Sequence, residues 1–198
     1  MNTRFIIATK NKGKLLEMQE ILKDLPFEVL SMEEAGFHDE IEETGSTFEE
    51  NSMIKARAIF NKTGGIVMAD DSGLEIDFLG GAPGIFSARF AGEKASEVDK
   101  INKVLGLLQA VPVEKRSASF VCSISLIINH SEHFTLRASC EGLITTKPFG
   151  DNGFGYDPIF FLPDENMTMA QIPPEVKNRI SHRGKALQEM KKRLAEIL

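Results

Sequence analysis

Hydrophobic and polar positions recur along this chain with periods that change from segment to segment. An apolar run at 5–9 is followed by apolar residues at helical spacing over 15–22 and by a second short apolar run at 27–30. Pro26 ends the helix between the two runs. A strand, a helix and a strand within about 30 residues form a βαβ-like opening, so the pattern predicts a mixed α/β architecture.

Two later segments also have the helical period. One predicted amphipathic helix covers 96–109, and the other is the last helix of the chain. Their predicted core faces are Val98, Ile101, Leu105 and Leu108 in the first, and Leu187, Met190, Leu194 and Ile197 in the second.

Two strictly alternating segments, 117–129 and 134–140, predict a β-hairpin that is buried on one face. Matching their apolar faces sets Cys122 opposite Cys140, because a slip by one residue would turn polar side chains toward the core. These are the chain's two cysteines, and their spacing fits neither a zinc site nor a disulfide framework. We expect them to be close and unbonded.

Composition and charge indicate an ordinary globular protein. The chain has 198 residues, 42% of them hydrophobic and 26% charged, which allows one large domain or two lobes. Its net charge of −6 argues against a nucleic-acid surface, because a phosphate backbone is held by clustered Lys and Arg. No apolar run approaches the roughly 18 residues of a membrane helix, so we expect a soluble, unexported protein without a membrane partner.

The apolar run at 66–68 ends in two acids, a hydroxyl and a glycine, at 70–73. This pattern is typical of a buried strand that delivers carboxylates to a loop, where metal or water chemistry usually lies. We interpret Asp71 as the centre of an active site. The alternative is a turn in which the same side chains satisfy local backbone groups.

Lysines surround the predicted junction between the first strand and the first helix, at 8–14. The junction is not a P-loop, because Ala8 replaces the leading glycine and Leu15 replaces the Ser/Thr ligand. A helix N-terminus still offers unpaired N–H groups and a partial positive charge, which suits a triphosphate. The alternative is an exposed, lysine-rich helix start.

The segment 47–50 has the spacing of a helix capping box. It predicts a helix to about residue 62, after an acidic and irregular stretch at 31–46 that is mostly a solvated face. Asn51 and Lys55 share one face of this helix and could point into a cleft. The alternative for Lys55 is an ordinary surface lysine.

A glycine-rich loop at 149–158 surrounds Phe154 and the chain's single tyrosine and displays an aromatic ring. A ring beside Asp157 could stack on a nucleobase and accept a hydrogen bond from its N–H edge. The alternative is a turn with aromatic plugs. His182 and Arg183, at the start of the last helix, are donors that fit a purine carbonyl, although a histidine there is more often structural.

Six sequence blocks together resemble the inosine/xanthosine triphosphate pyrophosphatase family, and they follow its order over essentially the whole chain. The blocks are TKNKGK at 9–14, TFEEN at 47–51, ADDSGL at 69–74, GGAPG at 80–84 with SAR at 87–89, GFGYDP at 153–158 and SHRG at 181–184. One departure is Lys10, where many members have a small residue. The departure leaves the assignment intact.

The resemblance implies Mg²⁺-dependent hydrolysis of ITP, dITP and XTP to the monophosphate and pyrophosphate, which cleanses the nucleotide pool. It also implies a cytoplasmic homodimer that binds neither nucleic acid nor membrane. The expected fold is a single domain over 1–198: a long central mixed sheet flanked by helices, with two lobes and a nucleotide cleft between them.

The same resemblance implies a role for each matching residue. Phosphate binding falls to Thr9, Asn11, Lys14 and Lys55, proton acceptance to Asp71, and metal binding to Asp71 and Glu43, with Glu42 the less favoured choice. Substrate contact falls to Ser72, nucleoside binding to Phe154, Gly155, Tyr156, Asp157 and Lys177, and base recognition to His182 and Arg183.

The chemistry of the residues agrees with these roles. Attack of water at the α-phosphorus builds negative charge, so hard oxygen ligands for Mg²⁺ and several lysines are needed. One alternative is a nucleotide-binding regulator without catalytic activity. Such a protein would not need Asp71, so the intact pair of acids argues against it. A nucleic-acid-binding module is disfavoured by the acidic charge.

Overall fold

A computed structural model describes residues 3–197 as a mixed α/β structure around a seven-stranded sheet. The strands are β1 Arg4–Ala8, β2 Glu28–Ser31, β3 Ile66–Ile76, β4 Ser117–Ile127, β5 His133–Ile144, β6 Phe160–Leu162 and β7 Met167–Thr168, in the sheet order β2-β1-β3-β4-β5-β6-β7. The α-helices are α1 Lys12–Leu22, α2 Phe48–Thr63, α3 Glu97–Leu107, α4 Pro174–Ile180 and α5 His182–Ile197. The predicted α/β fold class with a mixed central sheet is confirmed, and the two lobes with a nucleotide cleft between them stay a prediction. None of the helices within 3–197 is long and apolar enough to cross a membrane.

The first three strands create a reversal of the strand order in the sheet. β1 pairs in parallel with β2 on one side and with β3 on the other, where the last matched pair is Ala8 with Ala69. The βαβ opening is therefore confirmed. Because β1 lies between its two successors, the strand order reverses beside it, and open α/β sheets bind ligands at the carboxyl edge of such a reversal.

Contacts divide the chain into two compact units. The first unit comprises the residues up to Asp71, Cys122–Ala138 and the residues from Arg183 onward, and the second comprises Ser72–Val121 and Ser139–His182. The single domain expected over 1–198 stays a prediction. Residues 1, 2 and 198 of that range lie outside the described residues.

The first unit has a hydrophobic core on each face of its part of the sheet. Ile7 of β1 packs in one core with Met18 of α1 and Leu187 of α5, whereas Ile6 packs in the other with Ile59 of α2. Successive strand side chains point to opposite faces. Helices α1 and α5 therefore cover one face, and α2 covers the other.

Both predicted amphipathic helices are present, but each has one predicted core position at the surface. Val98 is 63% exposed and Ile197 is 39% exposed, so these two expectations are wrong. Val98 lies in the first turn of α3 and Ile197 is the last residue of α5. The helical period indicates which face of a helix is apolar, but it does not show how far along the helix the neighbouring elements reach. In the second unit, Val104 is buried instead.

β4 and β5 form the predicted hairpin, but their pairing is shifted from the predicted one. The Ile128 N–H donates to the Glu132 carbonyl at 2.9 Å, and the hydroxyls of Ser125 and Thr135 lie 2.9 Å apart. The predicted pairing of the two cysteines is therefore wrong. A shift by two residues keeps every side chain on its face, so the apolar pattern does not distinguish the two registers. The turn sets the register instead, and in it the Asn129 side chain accepts hydrogen bonds from Ser131.

We expect neither cysteine to react with a thiol reagent in the folded protein. Cys122 and Cys140 are buried and reduced, and burial raises the pKa of the Cys122 thiol to about 12. The nucleophilic thiolate is then scarce near neutral pH. Titration with DTNB should release less than about 0.1 equivalents of thiolate before unfolding in guanidinium and two equivalents after it. A full equivalent released at once by the folded chain would contradict this expectation.

Candidate active site

Asp70 and Asp71 lie inside a strand. The expectation that a loop begins at these acids is wrong, because β3 continues from Ile66 to Ile76. Pairing with β1 ends at Ala69, so the two acids lie just past the carboxyl end of β1. The strand accommodates both carboxylates because each has a lysine beside it.

The two acids point to opposite faces of the sheet. Met68 belongs to the core beneath α1 and α5, so alternation along β3 turns Asp70 to that face and Asp71 to the face of α2. The contacts agree with this alternation. Asp70 Oδ2 lies 2.9 Å from Lys14 Nζ of α1, and Asp71 Oδ1 lies 3.4 Å from Lys55 Nζ of α2. The neighbouring acids therefore have separate tasks.

Asp70 belongs to a buried network of charges. Its carboxylate contacts Lys14 and lies 3.7 Å from Arg183 Nε, and Arg183 Nη1 donates to Glu17 at 2.6 Å. Burial would raise the pKa of Asp70, but the charges of Lys14 and Arg183 outweigh it and hold the pKa well below its usual range. Asp70 is therefore ionised near neutral pH and orients two cations.

Asp71 has the opposite electrostatic character. Burial raises the pKa of Asp71, the charges of Lys55 and Lys14 offset part of the rise, and Glu43 and Asp70 add to it. Burial pulls the pKa of Lys55 down, but the three acids outweigh burial and raise it. A carboxylate with a raised pKa is a better proton acceptor than an ordinary aspartate.

Glu43 and Asp71 fit a Mg²⁺ ion. Both carboxylates contact the same ammonium group, Lys55 Nζ, at 2.7 Å and 3.4 Å, so they already share one cation. Mg²⁺ prefers oxygen ligands and commonly takes one or two carboxylates together with waters and substrate phosphates. Within 3–197, no three His, Cys, Asp or Glu side chains converge as a metal cage. Glu42 is exposed, so the arrangement favours Glu43 as the second ligand.

Thr9 and Asn11 build the start of α1 at the carboxyl end of β1. The Asn11 side-chain oxygen caps the helix by accepting from the Lys14 N–H at 3.1 Å, and the Thr9 hydroxyl accepts from the Asn11 N–H at 3.2 Å. The first-turn N–H groups of α1 and the Lys14 ammonium thus lie together. This combination attracts anions.

The first unit therefore holds half of the predicted site residues, and their contacts form two sets, one that includes Asp70 and one around Lys55. The residues are Thr9, Asn11, Lys14, Glu43, Lys55, Asp71 and Arg183. Base recognition by Arg183 stays a prediction, since its side chain is 2% exposed and holds Glu17 and Asp70. Sequence reasoning missed Glu17. Its spacing of three residues from Lys14, which puts both on one side of α1, was the available signal.

The second unit holds the other predicted residues, which are Ser72, Phe154, Gly155, Tyr156, Asp157, Lys177 and His182. Lys177 Nζ donates to Asp157 Oδ2 at 2.6 Å, and the Phe154 N–H donates to the same oxygen at 2.9 Å. The ammonium also lies 4.7 Å from the centre of the Phe154 ring. This buried ion pair fixes the ring and its loop.

A glycine makes that ion pair possible. A Cβ on Gly153 would lie 2.0 Å from Asp157 Oδ2 and 3.2 Å from Lys177 Nζ, and its φ of +77° suits glycine. The loop backbone therefore passes directly over the ion pair.

Tyr156 and His182 are buried, and Phe154 is the half-buried ring of the loop. The Tyr156 hydroxyl donates to the Ser87 carbonyl at 2.9 Å. The His182 imidazole stacks on Phe120 with ring centres 4.8 Å apart. Tyr156 thus anchors the loop, and the Phe154 ring stays partly accessible.

Known proteins share the sequence pattern and the fold of this chain. The model described as the Ham1 family matches residues 5–193. The dITP/XTP pyrophosphatase of Bacillus licheniformis is 49% identical over 93% of this chain and 94% of its own. A HAM1 protein from Coxiella burnetii has a TM-score of 0.89 at 46% identity, covering 98% of this chain and 99% of its own. The Ham1 protein of Staphylococcus aureus has a TM-score of 0.88 at 40% identity, covering 98% and 100%. These matches confirm the resemblance inferred from the six blocks, and the chain is a member of the Ham1 family.

Proposed function

We propose that this chain hydrolyses the deaminated purine nucleotides ITP, dITP and XTP to the monophosphate and pyrophosphate, with Mg²⁺ as cofactor. Its class, a nucleoside triphosphate pyrophosphatase, follows from the family and from relatives that are named dITP/XTP pyrophosphatase. The chain matches these relatives over nearly their whole length. One observation carries the proposal for this site: the carboxylates of Glu43 and Asp71 share the Lys55 ammonium.

The first unit supplies the groups that hydrolysis at the α-phosphorus needs. Asp71, with its raised pKa, accepts the proton of the attacking water. The bond from the α-phosphorus to the bridging oxygen then breaks, and pyrophosphate leaves. Lys14, Lys55 and the first-turn N–H groups of α1 stabilise the charge that grows on the phosphate oxygens. Mg²⁺ held by Glu43 and Asp71 adds Lewis-acid polarisation of those oxygens when bound.

The second unit supplies groups that suit a nucleoside. The Phe154 ring is available for stacking, and the neighbouring Asp157 carboxylate is a hydrogen-bond acceptor for a purine N–H. A 6-oxopurine carries this N–H beside its oxo group, whereas adenine does not. Guanine adds an exocyclic amine, which a pocket without an acceptor for it disfavours. In this proposal, His182 donates to the oxo group.

A substrate panel tests the proposal. Pyrophosphate release from ITP, dITP, XTP, ATP and GTP is measured with Mg²⁺, and again after EDTA treatment and after Mg²⁺ is added back. We expect kcat/KM for the three deaminated nucleotides to exceed that for ATP and GTP by about 100-fold or more. EDTA should abolish turnover, and Mg²⁺ should restore it. Equal turnover of ATP and ITP, or full activity in EDTA, would contradict the assignment.

We further propose, from the family resemblance, that the enzyme acts as a homodimer in the cytoplasm. Light scattering after size-exclusion chromatography should give twice the mass of the chain. A monomeric mass at micromolar concentration would contradict the dimer.

A further inference from the structure

Asn51 of α2 is a buried polar residue that the proposed mechanism does not use. It is 0% exposed, and its Oδ1 accepts a hydrogen bond from the Gly45 N–H at 2.8 Å. Gly45 follows Glu43 by two residues, and Asn51 precedes Lys55 by about one helical turn. Asn51 thus joins the loop that carries one acid to the helix that carries its lysine.

The contact requires a glycine in the loop. A Cβ on Gly45 would lie 2.6 Å from Asn51 Oδ1 and 2.7 Å from the Glu50 Cβ. Both distances are too short for nonbonded atoms, so the loop or the helix would have to shift. The loop backbone therefore packs directly on the first turns of α2.

The same part of α2 is fixed to the sheet independently of Asn51. Ser52 Oγ lies 2.8 Å from Ser125 Oγ and 3.3 Å from Ser123 Oγ, and all three serines are buried. Loss of the Asn51 amide should therefore free the loop backbone at Gly45 and leave the helix in place, while the adjoining Ser46 keeps its two hydrogen bonds to Glu50. Among residues 3–197, the Asn51 amide nitrogen has no hydrogen-bond partner, so its oxygen carries the contact.

We propose that Asn51 is a positioning residue that holds Glu43 where it shares a cation with Asp71. The inference rests on the proposed function, in which Glu43 and Asp71 would hold Mg²⁺; in the structure the cation that they share is the Lys55 ammonium. Partners that orient a metal ligand commonly change metal affinity by 10–100-fold when they are removed. The expected defect is in Mg²⁺ affinity, with nucleoside recognition unchanged.

Two variants approach the contact from opposite sides, and each has a matched control. Asn51→Ala removes the acceptor, and Gly45→Ala pushes the loop away from an intact Asn51. Asn61→Ala is the control on the same helix, where the side chain is exposed. Gly106→Ala is the glycine control, since a Cβ there would meet nothing within 4 Å.

Three measurements are made on the full-length chain. Hydrogen exchange of the Gly45 amide should accelerate at least about tenfold in both variants, because its acceptor is lost or displaced. The Mg²⁺ concentration for half-maximal turnover should rise about tenfold or more, and excess Mg²⁺ should restore kcat, with KM for ITP within about twofold. Titration with Mn²⁺ followed by electron paramagnetic resonance should show the same loss of affinity without nucleotide. Both control variants should match the parent protein.

The outcomes separate this inference from the proposed function. Fast Gly45 exchange with an unchanged metal requirement would overturn the positioning role, as would unchanged exchange in Asn51→Ala. A fall in kcat that excess Mg²⁺ does not restore would also overturn it. If the parent protein hydrolyses none of the nucleotides, the proposed function fails, and hydrogen exchange with Mn²⁺ titration still decides the role of Asn51.

Discussion

Asp71→Asn is expected to lower kcat for ITP by about 10²–10⁴-fold and to leave KM within about threefold. The amide has the shape of the carboxylate but cannot accept a proton from water. Burial raises the pKa of the native carboxyl, so the carboxylate is a stronger base than an ordinary aspartate. Its loss is therefore expected to slow the proton transfer. Steady-state pyrophosphate release, measured over a series of Mg²⁺ concentrations, separates a lost base from a weakened metal site. Only the metal defect responds to excess Mg²⁺.

Asp77→Asn is the matched control for this experiment. Asp77 follows β3 directly, and its side chain is exposed, so the same chemical change there should leave kcat unaltered. Activity of Asp71→Asn within threefold of the parent protein would reject Asp71 as the proton acceptor.

Local sequence signals predicted the elements that frame the site. The capping pattern at 47–50 placed the start of α2 correctly, and the Thr47 hydroxyl accepts from the Glu50 N–H at 3.1 Å. The apolar periods placed β1, α1 and β2. These features depend on neighbours within about one helical turn or one strand. A single sequence carries that information directly.

Long-range pairing could not be predicted in the same way. Asp70 and Asp71 can lie inside a buried strand only if cations lie beside them; without cations, an exposed turn is expected. The cations include Arg183 and Lys55, which come from distant parts of the chain. The hairpin register failed for a related reason, because a shift by two residues preserves the apolar faces. Contacts between distant segments decided both cases.

The roles of the candidate site residues stay predictions, but the structure shows an arrangement of the two neighbouring acids that sequence reasoning did not give. Sequence reasoning selected Asp71, Lys14 and Lys55 and gave no separate role to Asp70. Once β3 is known to continue, alternation alone assigns Asp70 to the face of α1 and α5 and Asp71 to the face of α2. Sequence reasoning ended β3 too early, and for that reason it did not assign the two acids to opposite faces.

Asp70→Asn is expected to act on stability, with a loss of about 3 kcal/mol or more in the free energy of unfolding at neutral pH. The change leaves the buried Arg183 and the partly buried Lys14 without the carboxylate that both contact. Because the folded pKa of Asp70 lies below its unfolded value, the native carboxylate stabilises the fold above the unfolded pKa. That contribution disappears only as the pH falls through the folded pKa. Urea unfolding followed by circular dichroism measures the loss.

Two comparisons make the stability prediction specific. Asp39 forms an ion pair with Lys62 on the surface, where both side chains are about half exposed or more, so Asp39→Asn should leave the unfolding midpoint unchanged. Asp71→Asn should be neutral or stabilising, because a carboxyl whose folded pKa is raised opposes folding at neutral pH. Equal losses in Asp70→Asn and Asp71→Asn would contradict the assignment of the two acids to opposite faces with separate tasks.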